Sequence, residues 1–436
     1  MRVALMRYHA SMPYDWISHE LLALEAAGLR RQTRVCEPLP RGRCRVEGVE
    51  VLNFASNDYL GLAGDPRVIA AALDATARYG AGARASALVS GRTPLHAELE
   101  EAIARFEGTA AAVLFPTGFA ANVGAIGSLV EAGDVVFCDR LNHASLIDGC
   151  RLSGARLRVY SHRESSAGAA RVDDGDSAQE RSFAERKATV LTQLGNELAK
   201  ARDARRRLIV TDSIFSMDGD AAPLAEISEL ATRTKSMLLI DEAHATGVYG
   251  AAGRGWCEEV GLDDSQCVRV GTLSKAIGSQ GGFVAGPQPL CDWIRNTARP
   301  QMFSTSLTPG ACGAALAALR IIQSEPDRRE RVRKLAAQLR MELGMATNWV
   351  ACGELDCPIV PLIVCEPQVA VDLSRHLMQH GFLVPAIRPP TVPKGTSRLR
   401  ISLTADHTPE DVNRCVEVLG KWLRDRAFSP ASGPRG

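Results

Sequence analysis

Between residues 111 and 286, short apolar runs alternate with stretches of helical spacing, and this alternation restricts the fold more than any other feature of the chain. AAVLF at 111–115, DVVFC at 134–138, Leu157–Tyr160, Leu208–Thr211, Met237–Asp241 and Val268–Gly271 each have strand length and little polar content. Runs that are apolar throughout suit strands buried on both faces, and parallel strands need crossover connections such as helices. The expectation is an α/β fold with a mostly parallel central sheet flanked by helices, in which GGFVAG at 281–286 is a candidate antiparallel return.

The flanks read differently. Residues 14–34 have helical spacing with Arg30 and Arg31 near the end, and VEGVEVLNFASNDYLGL at 46–62 reads as a hairpin running into a loop. Helices are expected at 65–79 and 94–107. After Pro309 come a long helix, a charged helix at 327–343, strands at 359–364, 382–384 and 399–404 with a helix among them, and a last helix after Thr408. That makes a smaller α+β unit. The expected division is therefore 1–55, an amino-terminal segment packing with the small domain; 56–305, the large domain; and 306–436, the small carboxyl-terminal domain. Residues 163–190 are rich in Ser, Ala, Asp, Glu and Arg, and are expected to form an exposed insertion.

Composition excludes some functions. A hydrophobic content of 46%, a charged content of 23% and a net charge of +1 are those of an ordinary soluble protein, with no bulk attraction for nucleic acid or an anionic membrane. The apolar runs fall short of the roughly 20 residues that span a bilayer. The twelve cysteines are scattered without zinc-site spacing, which suits reduced thiols in a cytoplasmic protein. Met1 and Met12 are equally good starts for translation.

Chemistry gathers at the strand ends. Asp241 closes one run with His244 just beyond it, and Thr272, Ser274 and Lys275 follow the next. In an open α/β sheet, ligands bind past the carboxyl ends of the strands. A desolvated lysine amine forms a Schiff base with an aldehyde, and a strand-end carboxylate keeps a pyridine nitrogen protonated. Pyridoxal phosphate needs both groups and is the expected cofactor. His143, past another strand end, can stack on the ring, and His244 and Ser216 can reach its hydroxyl. Thr117–Phe119 lie where a strand gives way to a helix, so their backbone N–H groups suit the phosphate, with Thr272 and Ser274 adding hydroxyls. Arg398 and Arg400, in SRLRISLT, are expected on opposite faces of a strand, one of them clamping a carboxylate through a bidentate pair.

SNDYLGL, LFPTGFAAN, DRLNHASLIDG, SIFSMDGDAAPL, DEAHATGVYGAAGRG, GTLSKAIGSQGG and FSTSL, taken in order, closely resemble the α-oxoamine synthases. These are fold-type-I pyridoxal phosphate enzymes, aspartate-aminotransferase-like, which condense an amino acid with an acyl thioester. The resemblance covers residues 16–422 apart from the insertion. It implies Schiff-base chemistry at Lys275, ring-nitrogen pairing at Asp241, stacking at His143 and a ring-oxygen partner at His244. It implies phosphate binding by the backbone of Gly118 and Phe119 and the hydroxyl of Thr272, with Ser304 and Thr305 reaching the phosphate across a homodimer interface. Arg400 with Asn57 would hold the amino-acid carboxylate. Arg30, or Arg31 one position on, would stand near the acyl entrance.

AIRPPTVPKGTSRLRISLTADHT is most similar to the family member that joins L-alanine to a pimeloyl thioester, carried on CoA or on a carrier protein. Glycine with acetyl-CoA is the alternative within the family, and a catalytically silent partner subunit is the alternative outside catalysis. Arg84 and Ala85 stand where many relatives have glycines, a departure that touches the substrate loop and not the core chemistry.

Overall fold

A computed structural model describes residues 13–31, 33–162, 183–262, 267–347, 353–354 and 356–425. The amino-terminal helix, Asp15–Ala26, is shorter than its spacing suggests. Ala27 caps its end and Gly28, at φ +65°, follows, and no residue of the helix is buried within the chain. Arg30 and Arg31 therefore stand outside it. Strands β1 (Cys36–Leu39), β2 (Arg43–Val46) and β3 (Val49–Asn53) form an antiparallel meander.

The central sheet is built from β4 (Ala111–Phe115), β5 (Val135–Asp139), β6 (Arg156–Tyr160), β7 (Arg207–Asp212), β8 (Met237–Asp241), β9 (Val268–Thr272) and β10 (Gly282–Gly286). Their order is β4-β10-β9-β8-β7-β5-β6. Strands β5 to β9 pair in parallel, and β10 runs antiparallel to both its neighbours, as GGFVAG suggested. Every residue of β4, β5, β9 and β10 is buried, the pattern of strands covered by helices on both faces.

Carboxyl-terminal strands β11 (Ile359–Cys365), β13 (Ala386–Ile387) and β14 (Ser397–Ser402) make a small antiparallel sheet in the order β11-β14-β13. Between them β12 (Phe382–Leu383) leaves to pair in parallel with β3, Phe382 opposite Leu52. Segments near the two ends of the chain thus share one sheet.

Local chemistry sets the helix starts. Asp65 caps Pro66–Tyr79 by accepting from Arg67 N at 3.0 Å, with proline at the first helical position. Thr93 and His96 cap Pro94–Glu107, and His96 Nε2 lies 2.9 Å from the Leu307 carbonyl, tying that helix to the segment after residue 306.

The expected insertion at 163–190 needs correction. Residues 163–182 lie outside the described part, but Phe183–Lys200 is a helix whose Val190, Leu194 and Leu198 are buried beneath β5 and β7. A stretch of mixed composition concealed an amphipathic helix at its end.

Candidate active site

Segments from across the chain converge beyond the carboxyl ends of β5, β7, β8 and β9. Lys275, half-buried after β9, places Nζ 2.7 Å from His244 Nε2. The other nitrogen of that ring, Nδ1, is 2.7 Å from the Tyr59 hydroxyl. Tyr59 Oη stands 3.3 Å from Arg400 Nη2 and 3.4 Å from Asn57 Oδ1. One file of polar contacts therefore runs from the lysine amine to the arginine, linking groups brought from β8, β9, β14 and the loop after β3.

Burial lowers the Lys275 amine to about 8, against the opposing pull of Asp241 and Asp212 and with further help from Arg400. His244 is held well below its ordinary range, first by burial and then by Lys275, Arg400 and His143. It is a neutral ring, able to accept a hydrogen bond from Nζ at Nε2 while donating from Nδ1 to Tyr59. Burial also pushes the Tyr59 phenol up to about 12, so it serves as a hydroxyl.

Asp241 is buried, and its oxygens accept from Asn122 Nδ2 at 2.6 Å and from Ala243 N at 2.8 Å. Asn122 also donates to Ser145 Oγ at 2.9 Å, and Ser145 Oγ lies 2.7 Å from His143 Nδ1. Asp241 and His143 are thereby joined through two small polar side chains. Asp212 sits opposite Asp241 in the β7–β8 register. Burial, then the neighbouring Asp241, push its carboxyl well above the usual range, while the His143 backbone N–H donates to it at 2.7 Å. Two adjacent buried carboxyls do not both ionise. The His143 imidazole is held below its usual range by the partial desolvation of the pocket and by Lys275, with Asp241 opposing.

The helix Gly118–Leu129 begins beside β9, capped by Thr117, whose hydroxyl accepts from Ala120 N at 3.0 Å. A Cβ on Gly118 would come within 3.1 Å of Thr272 Cβ, so glycine lets the helix start lie against that hydroxyl. Thr272 Oγ1 in turn contacts Ser274 Oγ at 2.8 Å. Unpaired N–H groups at a helix start with hydroxyls alongside suit a phosphate. The donor set fits an aldehyde cofactor with a ring nitrogen and a phosphate: a poorly basic amine, a clasped carboxylate and a hydroxyl-edged helix start. The side-chain amide oxygen of Asn122, whose nitrogen supports Asp241, is buried without a hydrogen-bond partner.

Arg398 and Arg400 share a face, because two residues is one full side-chain period along a strand. Both reach the loop after β7. Arg398 Nη1 pairs with Asp218 Oδ1 at 2.5 Å in a buried ion pair. Arg400 Nε donates to the Ser216 carbonyl at 2.6 Å, and Nη1 contacts Asn57 Oδ1 at 3.1 Å and Ser402 Oγ at 2.8 Å. With Tyr59 on Nη2, four of the five N–H groups are engaged, which leaves one for a carboxylate rather than a ready bidentate fork.

The remaining expected residues lie apart from this cluster within one chain. Ser304 and Thr305 line a recess with Ala87, Arg92, His96 and Pro116, which none of Lys275, Asp241 and His244 touches. Arg30 pairs with Glu25 at 2.5 Å in a pocket shared with Arg34, Arg375 and Arg388. Arg31 instead reaches Thr391 Oγ1, in the IRPPTVP run, at 3.0 Å. Tyr59, Asn122, Ser145 and Asp212 were not singled out from the sequence. For Asn122 a signal existed, a lone amide among Gly, Ala, Val and Ile on a buried helix.

This fold and this cluster together define an α/β protein built to hold an aldehyde cofactor at strand ends. Residues 49–419 match the family described as Aminotransferase class I and II. The 8-amino-7-oxononanoate synthase of Anaeromyxobacter dehalogenans (strain 2CP-1) is 44% identical over 97% of this chain and 98% of its own. A putative 8-amino-7-oxononanoate synthase of Desulforudis audaxviator is 43% identical over 94% and 99%. Among solved structures, serine palmitoyltransferase of Sphingomonas wittichii superposes with a TM-score of 0.83 at 30% identity, covering 96% of this chain and 98% of that one. The enzyme of that name from S. paucimobilis, solved with bound PLP–myriocin, has a TM-score of 0.84 at 29% identity, covering 95% and 98%. The chain belongs to the class I and II aminotransferase family, and within it to the family of the 8-amino-7-oxononanoate synthases.

Proposed function

We propose that the protein condenses L-alanine with a pimeloyl thioester, on CoA or a carrier protein, to give 8-amino-7-oxononanoate, carbon dioxide and the free thiol, a step of biotin biosynthesis. The observation that carries the reading is the file Lys275–His244–Tyr59–Arg400, which joins a weakly basic amine to a buried arginine.

Pyridoxal 5'-phosphate, when bound, supplies the aldehyde and the electron-accepting ring that make an amino acid's α-carbon nucleophilic. The backbone N–H groups of Gly118 and Phe119, with Thr272, would hold its phosphate. Asp241, fixed by Asn122, would keep the ring nitrogen protonated, His143 would cover a ring face, and His244 and Ser216 would lie toward the ring oxygen. Lys275 Nζ would hold the aldehyde and would take the α-proton of the amino acid. His244 stays neutral and steadies Nζ while it does so. Arg400, with Asn57, orients the carboxylate until it leaves as carbon dioxide. His143 would help hold the carbonyl of the incoming acyl group.

The acyl side is supported by Arg31 and Arg388. Arg31 donates to Thr391, Arg388 donates to the Gly28 carbonyl, and burial and Arg31 lower the Arg388 guanidinium. Two neighbouring guanidiniums suit an acyl chain that ends in a second carboxylate. Arg30 would stand beside them at the entrance.

A homodimer in the cytoplasm belongs to the same proposal, with Ser304 and Thr305 serving the partner's phosphate site. Leu88, Val89, Phe119 and Phe303 are 47–79% exposed in the single chain, apolar surface that a second copy would cover. No described helix is long and apolar enough to cross a membrane.

The test supplies the cofactor-loaded protein with L-alanine or glycine against pimeloyl-CoA or acetyl-CoA, and follows thiol release and product mass. L-Alanine with pimeloyl-CoA is expected to turn over fastest. Preference for glycine with acetyl-CoA would replace this reading, and absence of turnover on every pair would defeat it.

A further inference from the structure

His162 lies outside the cofactor and substrate cluster, yet it is only 7% exposed and both its nitrogens face carboxylates. Nδ1 is 3.1 Å from Asp139 Oδ1, and Nε2 is 2.9 Å from Asp220 Oδ2. The edge of its ring packs on Phe215, centroids 4.2 Å apart at 68°. A neutral imidazole has one N–H and would set a lone pair against one of the two carboxylates, whereas the imidazolium donates to both. The two carboxylates hold the ring up to about 10, against its burial.

The two carboxylates stand on the two loops that serve the site. Asp139 ends β5, and its Oδ1 also accepts from Leu141 N at 2.9 Å. Asn142 follows, anchored to β7 through Val210 O at 2.9 Å and Asp212 N at 3.0 Å, and then comes His143. Asp220 closes the loop after β7, its carbonyl accepting from Phe215 N at 2.9 Å. That loop offers the Ser216 carbonyl to Arg400 and Asp218 to Arg398.

We propose that His162 is a positioning residue, an imidazolium bridge that fixes the His143 loop and the loop after β7 that holds Arg400 relative to each other, and so sets the geometry in which an amino acid is bound. The inference rests on the reading of the Lys275 cluster as the cofactor and amino-acid site.

The experiment titrates the cofactor-loaded full chain with L-alanine by calorimetry, without any thioester, and records cofactor content and thermal midpoint beside it. His162→Gln can bridge one carboxylate at a time. It is expected to weaken L-alanine binding about tenfold, the equivalent of one buried hydrogen bond left unmade, at near-native cofactor content. Asp220→Asn keeps an acceptor for Nε2 and perturbs the fold less, and is expected to weaken binding about threefold. Native affinity in a folded His162→Gln protein, or a lowered thermal midpoint with native affinity, would overturn the proposal. If His162→Gln is insoluble, Asp220→Asn decides, and native affinity there overturns it. Glycine is titrated in parallel. A native protein that answers glycine and not L-alanine would revise the substrate while the His162 comparison is still read on glycine.

Discussion

Lys275 Nζ and His244 Nε2 lie 2.7 Å apart, and the environment disfavours the charged form of both. The lysine therefore meets a neutral acceptor rather than a competing cation, and can lose its proton close to neutrality.

The rate of pyridoxal phosphate uptake by the apoprotein is expected to rise through about pH 8 and level off above it, because only the unprotonated amine attacks an aldehyde. The sign for stability follows from the same shift. Between about 8 and 10.5 the unfolded chain holds a proton that folded Lys275 has lost, so apoprotein stability gains from this group as pH rises through that window. Uptake measured from pH 6.5 to 9.5 checks the claim, and a flat profile would refute the weakly basic amine.

Arg400→Lys replaces a planar fork with a point charge that cannot span Ser216 O, Asn57, Ser402 and Tyr59 together. The KM for L-alanine should rise about tenfold or more, with a smaller change in the KM for the thioester. Equal changes in both would show that Arg400 does not hold the amino acid.

Arg398→Ala tests stability instead. It strands Asp218 from its buried partner, and a cost of about 3 kcal/mol is expected in denaturant unfolding of the apoprotein. A loss below about 1 kcal/mol would mean that water replaces the arginine cheaply.

Much of this was legible in the residues. Runs such as AAVLF and MLLID carry their own evidence of burial, and they put Asp241, Thr272 and Lys275 at strand ends before any contact was known. The file through Tyr59 was not legible, because it joins residues 59, 244, 275 and 400, and no local pattern records a pairing of that span. The bridge at His162 is illegible for the same reason, since Asp139 and Asp220 are distant in sequence and each reads as an ordinary loop acid. Arg398 and Arg400, expected on opposite faces, share one by strand geometry, and only the contacts separate their partners, Asp218 for one and Ser216, Asn57 and Tyr59 for the other. The helix from Phe183 was hidden because its apolar positions follow a long polar approach.

The central claim is that Lys275 is the residue to which the cofactor attaches. Borohydride reduction of the loaded protein, followed by peptide mass mapping, measures this directly. The account predicts the pyridoxyl mass on the peptide containing Lys275 and its loss in Lys275→Ala; the same mass on a different lysine, or no adduct on a protein that retains cofactor, would contradict it.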